Sequence, residues 1–424
     1  MAASGATLPL QRVLAVGIGN ALEFYDFLTF SFFSIQIGHS FFPRQQTSHG
    51  LLYTLATFGV GFITRPLGGI VIGRLGDRSG RKPAMLWSFG LMGLGVAGIA
   101  LTPSYAQIGV AAPVLLLCFR LIQGFALGGE VGPSTAYFVE AAPVHQRGLY
   151  VSLQAATQGI AILAAGLVGA LLARLLSDSQ LDAWGWRLAF LLGAAVVPLG
   201  LHIRSHLPET RQRGQEPGAA AARSLPLRLL LPGLLILGAM TITTYVVSYL
   251  ATYSQDTLRL AAGIGFGATI AQGLTMLVAG PLCGGLSDRF GRKPLMLGGA
   301  CLLLSLAVPG FLLLNAWRMP VAVMALSAAL TASQQLVAVP AFVMISESLP
   351  QAVRCSGFSI LYAVAIAVFG GTTQFIVKGL IELTGNPIAP GWYLTGALVM
   401  GLGAMLALYE SAPIRVRAAA VALE

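Results

Sequence analysis

Charge is scarce in this chain: only 9% of its 424 residues are Asp, Glu, Lys or Arg, against roughly 25% in a soluble domain. With 56% of residues hydrophobic, a soluble protein of this size could not bury its apolar surface, which excludes that class. Cysteine is sparse too. Cys118, Cys283, Cys301 and Cys355 fall in or beside apolar runs without paired spacing, which excludes a disulfide framework and a cysteine metal site. The five histidines (His39, His49, His145, His202 and His206) sit at run ends or in loops. No H-E-x-x-H, nucleophile elbow or metal cluster is present, so no enzyme chemistry is expected. Lysine occurs only at 82, 293 and 378, a matter of genome composition. The net charge of +10 does not indicate nucleic acid, because the basic residues form short clusters between apolar runs. The first twelve residues are weakly charged and lead into a run long enough to span a bilayer, so no cleavable leader is expected.

What the chain has instead is long apolar runs. Spanning a bilayer takes about 20 mostly apolar residues, and twelve runs qualify. They lie near 13–38, 50–73, 83–102, 108–139, 148–174, 185–203, 228–252, 262–285, 294–314, 319–345, 353–379 and 390–410. The expected fold is an all-α membrane protein of twelve transmembrane helices. Seventeen of the 25 basic residues fall in terminal and alternate-loop positions on one side, which predicts both termini in the cytoplasm. The chain also repeats. GRLGDRSGRKP at 73–83 returns as GGLSDRFGRKP at 284–294, and E-x-x-P-x-x-x-R at Glu140–Arg147 returns at Glu347–Arg354. Two echoes with nearly the same offset predict two six-helix repeats, residues 1–203 and 225–424, joined by a charged, Gly- and Ala-rich cytoplasmic linker at 204–224.

Five charges fall inside predicted helices: Glu23, Asp26, Arg65, Arg120 and Glu130. Each costs about 3 kcal/mol on insertion scales at mid-bilayer, which favours ion pairing or a wet cavity. At about 1.5 Å per residue, Glu23, Asp26, Arg65 and Arg120 lie near mid-depth and Glu130 lies nearer the cytoplasm. Arg120, Gln123 and Glu130 share one arc of their helix. Arginine stays charged and grips carboxylates bidentately, which suits an anionic substrate. A carboxylate in low dielectric can cycle a proton, so Glu23, Asp26 and Glu130 are the coupling candidates, with Asp26 and Glu130 favoured. The competing reading is internal ion pairs, such as Asp26 with Arg65, that only hold helices together. The second half offers neutral polar groups: Thr241, Thr243, Thr244, Tyr245, Ser248, Tyr249, Gln272, Gln334, Gln335 and Tyr362. From these, Arg65, Arg120, Gln123, Gln154, Gln158, Tyr245 and Tyr362 form the expected binding set. Gly124, Gly128 and Gly132 read as close helix packing rather than a phosphate loop, since no strand precedes them.

The repeated G-x-x-x-D-R-x-G-R-K loop resembles that of the major facilitator superfamily. G-N-A-L-E-F-Y-D-F at 19–27, R-P-L-G-G at 65–69, R-L-I-Q-G-F-A-L-G-G-E-V-G at 120–132, W-G-W-R at 184–187 and L-P-E-T at 207–210 resemble its metabolite:proton symporter branch. F-F-P at 41–43 and A-P-G-W-Y at 389–393 resemble the citrate–proton symporters within it. The resemblance implies proton-coupled uptake of citrate or a related tri- or dicarboxylate, in a monomer of the bacterial inner membrane. No cofactor beyond the coupling proton and no nucleic-acid partner are expected. It also implies a cytoplasmic latch built from Asp77, Arg78, Arg81, Glu140, Arg147, Asp288, Arg289, Arg292, Glu347 and Arg354. The plainer reading of those basic residues is topology anchoring, which leaves Asp77 and Asp288 without a purpose. Zwitterion uptake and drug–proton antiport are the alternatives. The chain ends about a dozen residues after the last run, and 148–174 holds no proline. Both features favour the anion reading.

Overall fold

A computed structural model describes residues 21, 24–25, 29–42, 47–79, 81–128, 135, 138–139, 142–205, 227–349 and 354–412. Among these the protein is all helix, with no strand. The helices are α1 (Ser34–Phe41), α2 (Thr47–Val60), α3 (Arg65–Ser79), α4 (Arg81–Leu101), α5 (Ala111–Leu127), α6 (Arg147–Leu175) and α7 (Trp186–Ser205). From residue 227 onward come α8 (Leu227–Asp256), α9 (Ala262–Phe290), α10 (Arg292–Trp317), α11 (Pro320–Ser348), α12 (Arg354–Ala365), α13 (Gly371–Thr384) and α14 (Ala389–Ala407). Eight helical stretches among the described residues are long and apolar enough to cross a membrane, and Leu86–Leu101 and Ala111–Leu127 are shorter apolar helices.

Two predicted spans are broken where the sequence suggested continuous helix. The run at 50–73 divides into α2 and α3. Between them the Phe62 and Ile63 N–H groups bond three residues back, to Gly59 and Val60. Pro66 has no N–H to give to the Phe62 carbonyl, so the Arg65 N–H bonds it instead, at 3.1 Å. The run at 353–379 carries a π-helical turn, Ile366–Gly370, between α12 and α13. Gly370 there lies so close to the Tyr245 ring that a Cβ would sit 2.8 Å from it. The last helix of the first set, α7, runs to Ser205, two residues into the expected linker.

Glycine sets the closest helix contacts. A Cβ on Gly124 of α5 would sit 1.5 Å from the Gly61 carbonyl, and one on Gly128 would sit 2.0 Å from the Arg65 carbonyl. The polar-backbone approach expected at Gly124 and Gly128 is therefore present; Gly132 lies outside the described residues. The most extensive helix pair is α6 with α9. It is antiparallel, with Gly148 against Gly284 at one end and Gly169 against Phe266 toward the other. This pair joins the set of helices α1–α7 to the set α8–α14. Where α9 turns into α10, Gly291 takes φ +98°, a conformation that favours glycine.

Candidate functional site

A cavity of about 80 Å³ lies between the two sets of helices. The α6 side presents Val151, Ala155, Gln158 and Ile162, and the α8 side presents Leu237, Met240, Thr241, Thr244 and Tyr245. Gln334, Gln335, Ala338, Val339 and Phe342 of α11 and Tyr362 of α12 complete the opposite wall. The lining is mostly apolar, with a band of amides and hydroxyls. Gln334 is committed to structure: its Nε2 donates to Thr244 Oγ1 and, at 3.1 Å, to the Met240 carbonyl.

Two buried arginines stand beside this cavity rather than on its wall. Arg120 is 0% and Arg65 5% exposed. Arg120 donates to Gln123 Oε1 at 2.7 Å and to the Phe58 carbonyl at 3.3 Å. Its guanidinium carbon lies 4.4 Å from the Phe30 ring centre and 5.0 Å from that of Phe58. Arg65 lies 4.5 Å over Phe62. Tyr245 packs edge-on to both Phe58 and Phe62, at 5.9 and 5.5 Å. Arg65 is within electrostatic reach of Tyr245 and Tyr362, and Arg120 of Arg65 and Tyr245. Two like charges thus face a shared aromatic screen, and the two tyrosines of that screen also line the cavity.

The described residues of the two sets of helices meet on both sides of the cavity region. At the end bearing the repeated loops, Asp288 of α9 accepts from the Gly148 and Leu149 N–H groups, both at 2.9 Å. It therefore caps the first turn of α6 from across the interface. Arg292 holds Asp288 at 2.6 Å and reaches Glu347 at 3.6 Å, and Arg147 reaches the same Glu347 oxygen at 3.3 Å. Ser411 donates to the other Glu347 oxygen at 2.8 Å. At the opposite end, Gly59 and Gly371 meet backbone to backbone, and a Cβ on Gly59 would stand 2.1 Å from the Gly371 carbonyl. Gln374 donates to Ser31 at 2.6 Å, and the Ser34 and Thr252 hydroxyls are 3.0 Å apart.

The family model of the Major Facilitator Superfamily matches residues 17–364. The chain belongs to the Major Facilitator Superfamily. It is a multi-pass inner-membrane protein of that superfamily. It is 34% identical over 431 residues to the citrate-proton symporter of Klebsiella pneumoniae, covering 99% of this chain and 96% of that one. It is 30% identical over 421 residues to the proline/betaine transporter of Escherichia coli K12, covering 95% and 84%. In structure it resembles the E. coli xylose transporter in a partially occluded inward-open conformation. That match has TM-score 0.76 and 21% identity, over 94% of this chain and 96% of that one.

For a superfamily member the sequence-predicted residues divide unevenly. Gln158, Tyr245 and Tyr362 line the cavity, while Arg65, Arg120 and Gln123 lie behind the aromatic screen. Gln154 accepts from Thr135 at 2.9 Å and does not line the cavity. Arg147, Asp288, Arg292 and Glu347 meet in one cluster. Arg289 does not join it: its guanidinium lies over the Phe290 ring, 5.5 Å from the centroid, on an exposed face. Glu23, Asp26, Glu130 and Glu140, and the side chains of Asp77, Arg78, Arg81 and Arg354, lie outside the described residues. Sequence reasoning missed Glu410, which accepts from the Arg292 and Lys293 N–H groups at 3.0 and 2.9 Å and so caps α10. It also missed the buried Lys378, paired with Asp256 at 2.5 Å and Glu382 at 3.2 Å. Only the one-turn spacing of Lys378 and Glu382 hinted at that pair.

Proposed function

We propose that this protein is a secondary active transporter that takes up a small organic anion, citrate or a related tri- or dicarboxylate, together with protons by alternating access. The observation that carries the reading is the pair of buried arginines, Arg65 and Arg120, in mutual electrostatic reach beside a cavity bordered by Tyr245 and Tyr362. In this reading Arg65 and Arg120 attract the substrate carboxylates, with Gln123, Gln154 and Gln158 supporting and Tyr245 and Tyr362 at the boundary. Glu23, Asp26 or Glu130 carries the proton. The 34%-identical relative named as a citrate-proton symporter supports the same substrate class.

The accompanying architecture is twelve spanning helices in two repeats, 1–203 and 225–424, with a cytoplasmic linker at 204–224 and both termini in the cytoplasm. The protein acts as a monomer. The Arg147, Asp288, Arg292 and Glu347 cluster then forms the cytoplasmic latch, with Asp77, Arg78, Arg81, Glu140 and Arg354 as further members and Arg289 left out of it. The second reading is uptake of a zwitterionic osmolyte, favoured by the similarity to a proline/betaine transporter. Uptake of radiolabelled citrate into proteoliposomes, with and without an inward proton gradient, separates the two. Gradient-driven accumulation of citrate is expected. Accumulation of betaine or proline with no uptake of any carboxylate overturns the anion reading.

A further inference from the structure

Lys378 is one of only three lysines in the chain and lies in the apolar run of α13. It is 7% exposed. Its ammonium meets Asp256, the last residue of α8, at 2.5 Å and Glu382, one turn along α13, at 3.2 Å. The proposed binding and proton-carrying residues do not include this cluster. One turn inward from it, each helix bonds to the first set. Thr252 of α8 meets Ser34 of α1, and Gln374 of α13 donates to Ser31, just before α1. Gly371, Gln374 and Lys378 share one face of α13, and the Gly371 backbone meets Gly59 of α2. At this end α8 and α13 thus meet the first set side by side, and Lys378 ties the two helices to each other.

These contacts differ in what breaking them costs. Those to the first set are neutral: hydroxyl to hydroxyl, amide to hydroxyl, and glycine backbone against glycine backbone. Water replaces such partners at small net cost. Parting Lys378 from Asp256 instead strips a buried charge of one of its two counter-ions. The helix α13 also has a place to bend by itself, the π-helical turn Ile366–Gly370 that precedes it. We infer that the Lys378–Asp256 pair makes the ends of α8 and α13 a single gate leaf, which parts from α1 and α2 as one body and is kept from bending at the π turn alone. This inference rests on the alternating-access reading above and assigns it a moving part.

Distances between spin labels test this in the full chain in liposomes, with the four cysteines replaced by serine. Labels go on three exposed positions: Leu383 on α13, Tyr53 on α2, and Ala261 in the turn that follows α8. The Leu383–Tyr53 pair reads α13 against the first set, and the Leu383–Ala261 pair reads it against the end of α8. Samples are compared with and without citrate, at acid and at alkaline pH. Wild type is expected to show two distances for Leu383–Tyr53 and one narrow distance for Leu383–Ala261. Lys378→Met and Asp256→Ala should each add a longer distance to the Leu383–Ala261 pair. Asp256→Ala leaves Lys378 its Glu382 partner, and so stands in where Lys378→Met fails to assemble. Lys378→Arg keeps the charge and should keep the single narrow distance. A Leu383–Ala261 distance that is unchanged in both Lys378→Met and Asp256→Ala, or already divided in wild type, overturns the inference and leaves the transport reading intact. Broadening in Lys378→Arg equal to that in Lys378→Met also overturns it, because charge is then not what holds the helices. A single Leu383–Tyr53 distance in wild type under every condition overturns the inference and, with it, alternating access at this end.

Discussion

The Arg120 guanidinium donates through two nitrogens, to Gln123 at 2.7 Å and to the Phe58 carbonyl at 3.3 Å, while two phenyl rings cover its faces. Only a planar, delocalised cation meets all four contacts. A lysine keeps the charge but loses the fork and the stacking. Arg120→Lys should therefore lower substrate affinity on the order of tenfold, or about 1.4 kcal/mol, read from the half-saturation concentration in the uptake assay. Unchanged affinity would show that charge alone matters there. The arginines were legible in the sequence because a charge in an apolar run is conspicuous. Phe30, Phe58 and Phe62 were not, since a phenylalanine in such a run is indistinguishable from core.

At the scale of the element, glycine decides how closely helices approach. The α5 helix meets the turn between α2 and α3 through Gly124 and Gly61, and meets α3 through Gly128, Arg65 and Gly69. This seam holds Arg65 and Arg120 side by side. Gly124→Ala places a methyl 1.5 Å from the Gly61 carbonyl, where it cannot fit without moving a helix. We expect a loss of about 1–3 kcal/mol, measured as a lower midpoint of thermal unfolding in detergent, and impaired uptake from the displaced arginines. An unchanged midpoint would mean that the seam yields freely. The four-residue glycine spacing on α5 was readable as packing, but its partners were not, because spacing fixes a face and not what lies opposite. Pro66 explains the break at residues 61–64, although the run at 50–73 reads in the sequence as one continuous helix. The π turn at Ile366–Gly370 was not legible either, since α and π turns draw on the same residues.

At the scale of the molecule, the offset of the echoed motifs predicts two repeats without predicting which residues pair between them. The E-x-x-P-x-x-x-R echo supplies two acids and two arginines without saying which meets which. The structure pairs Arg147 of the first set with Glu347 of the second, and adds Arg292 as a bridge between Glu347 and Asp288. Asp288 is largely buried and accepts two backbone N–H groups as well as the guanidinium. Asp288→Asn removes the charge and one of the two accepting oxygens. The latch should weaken by about 2 kcal/mol, enlarging the open population at this end roughly thirtyfold. Spin labels at the exposed positions Val144 and Phe290, in a chain whose four cysteines are replaced by serine, would report this as growth of a longer distance. An unaltered distance distribution would remove the latch.

The carboxylate of Asp288 serves as the N-terminal cap of a helix it does not belong to. When the two sets of helices part at that end, the Gly148 and Leu149 N–H groups lose this cap, and water must replace it. Opening there is therefore a hydration step as well as the rupture of ion pairs. Solutes excluded from protein surfaces favour the state that exposes less, so added sucrose should shorten the distance between the same two labels. Under the proposed alternating access, opening at this end would depend on the water activity on that side.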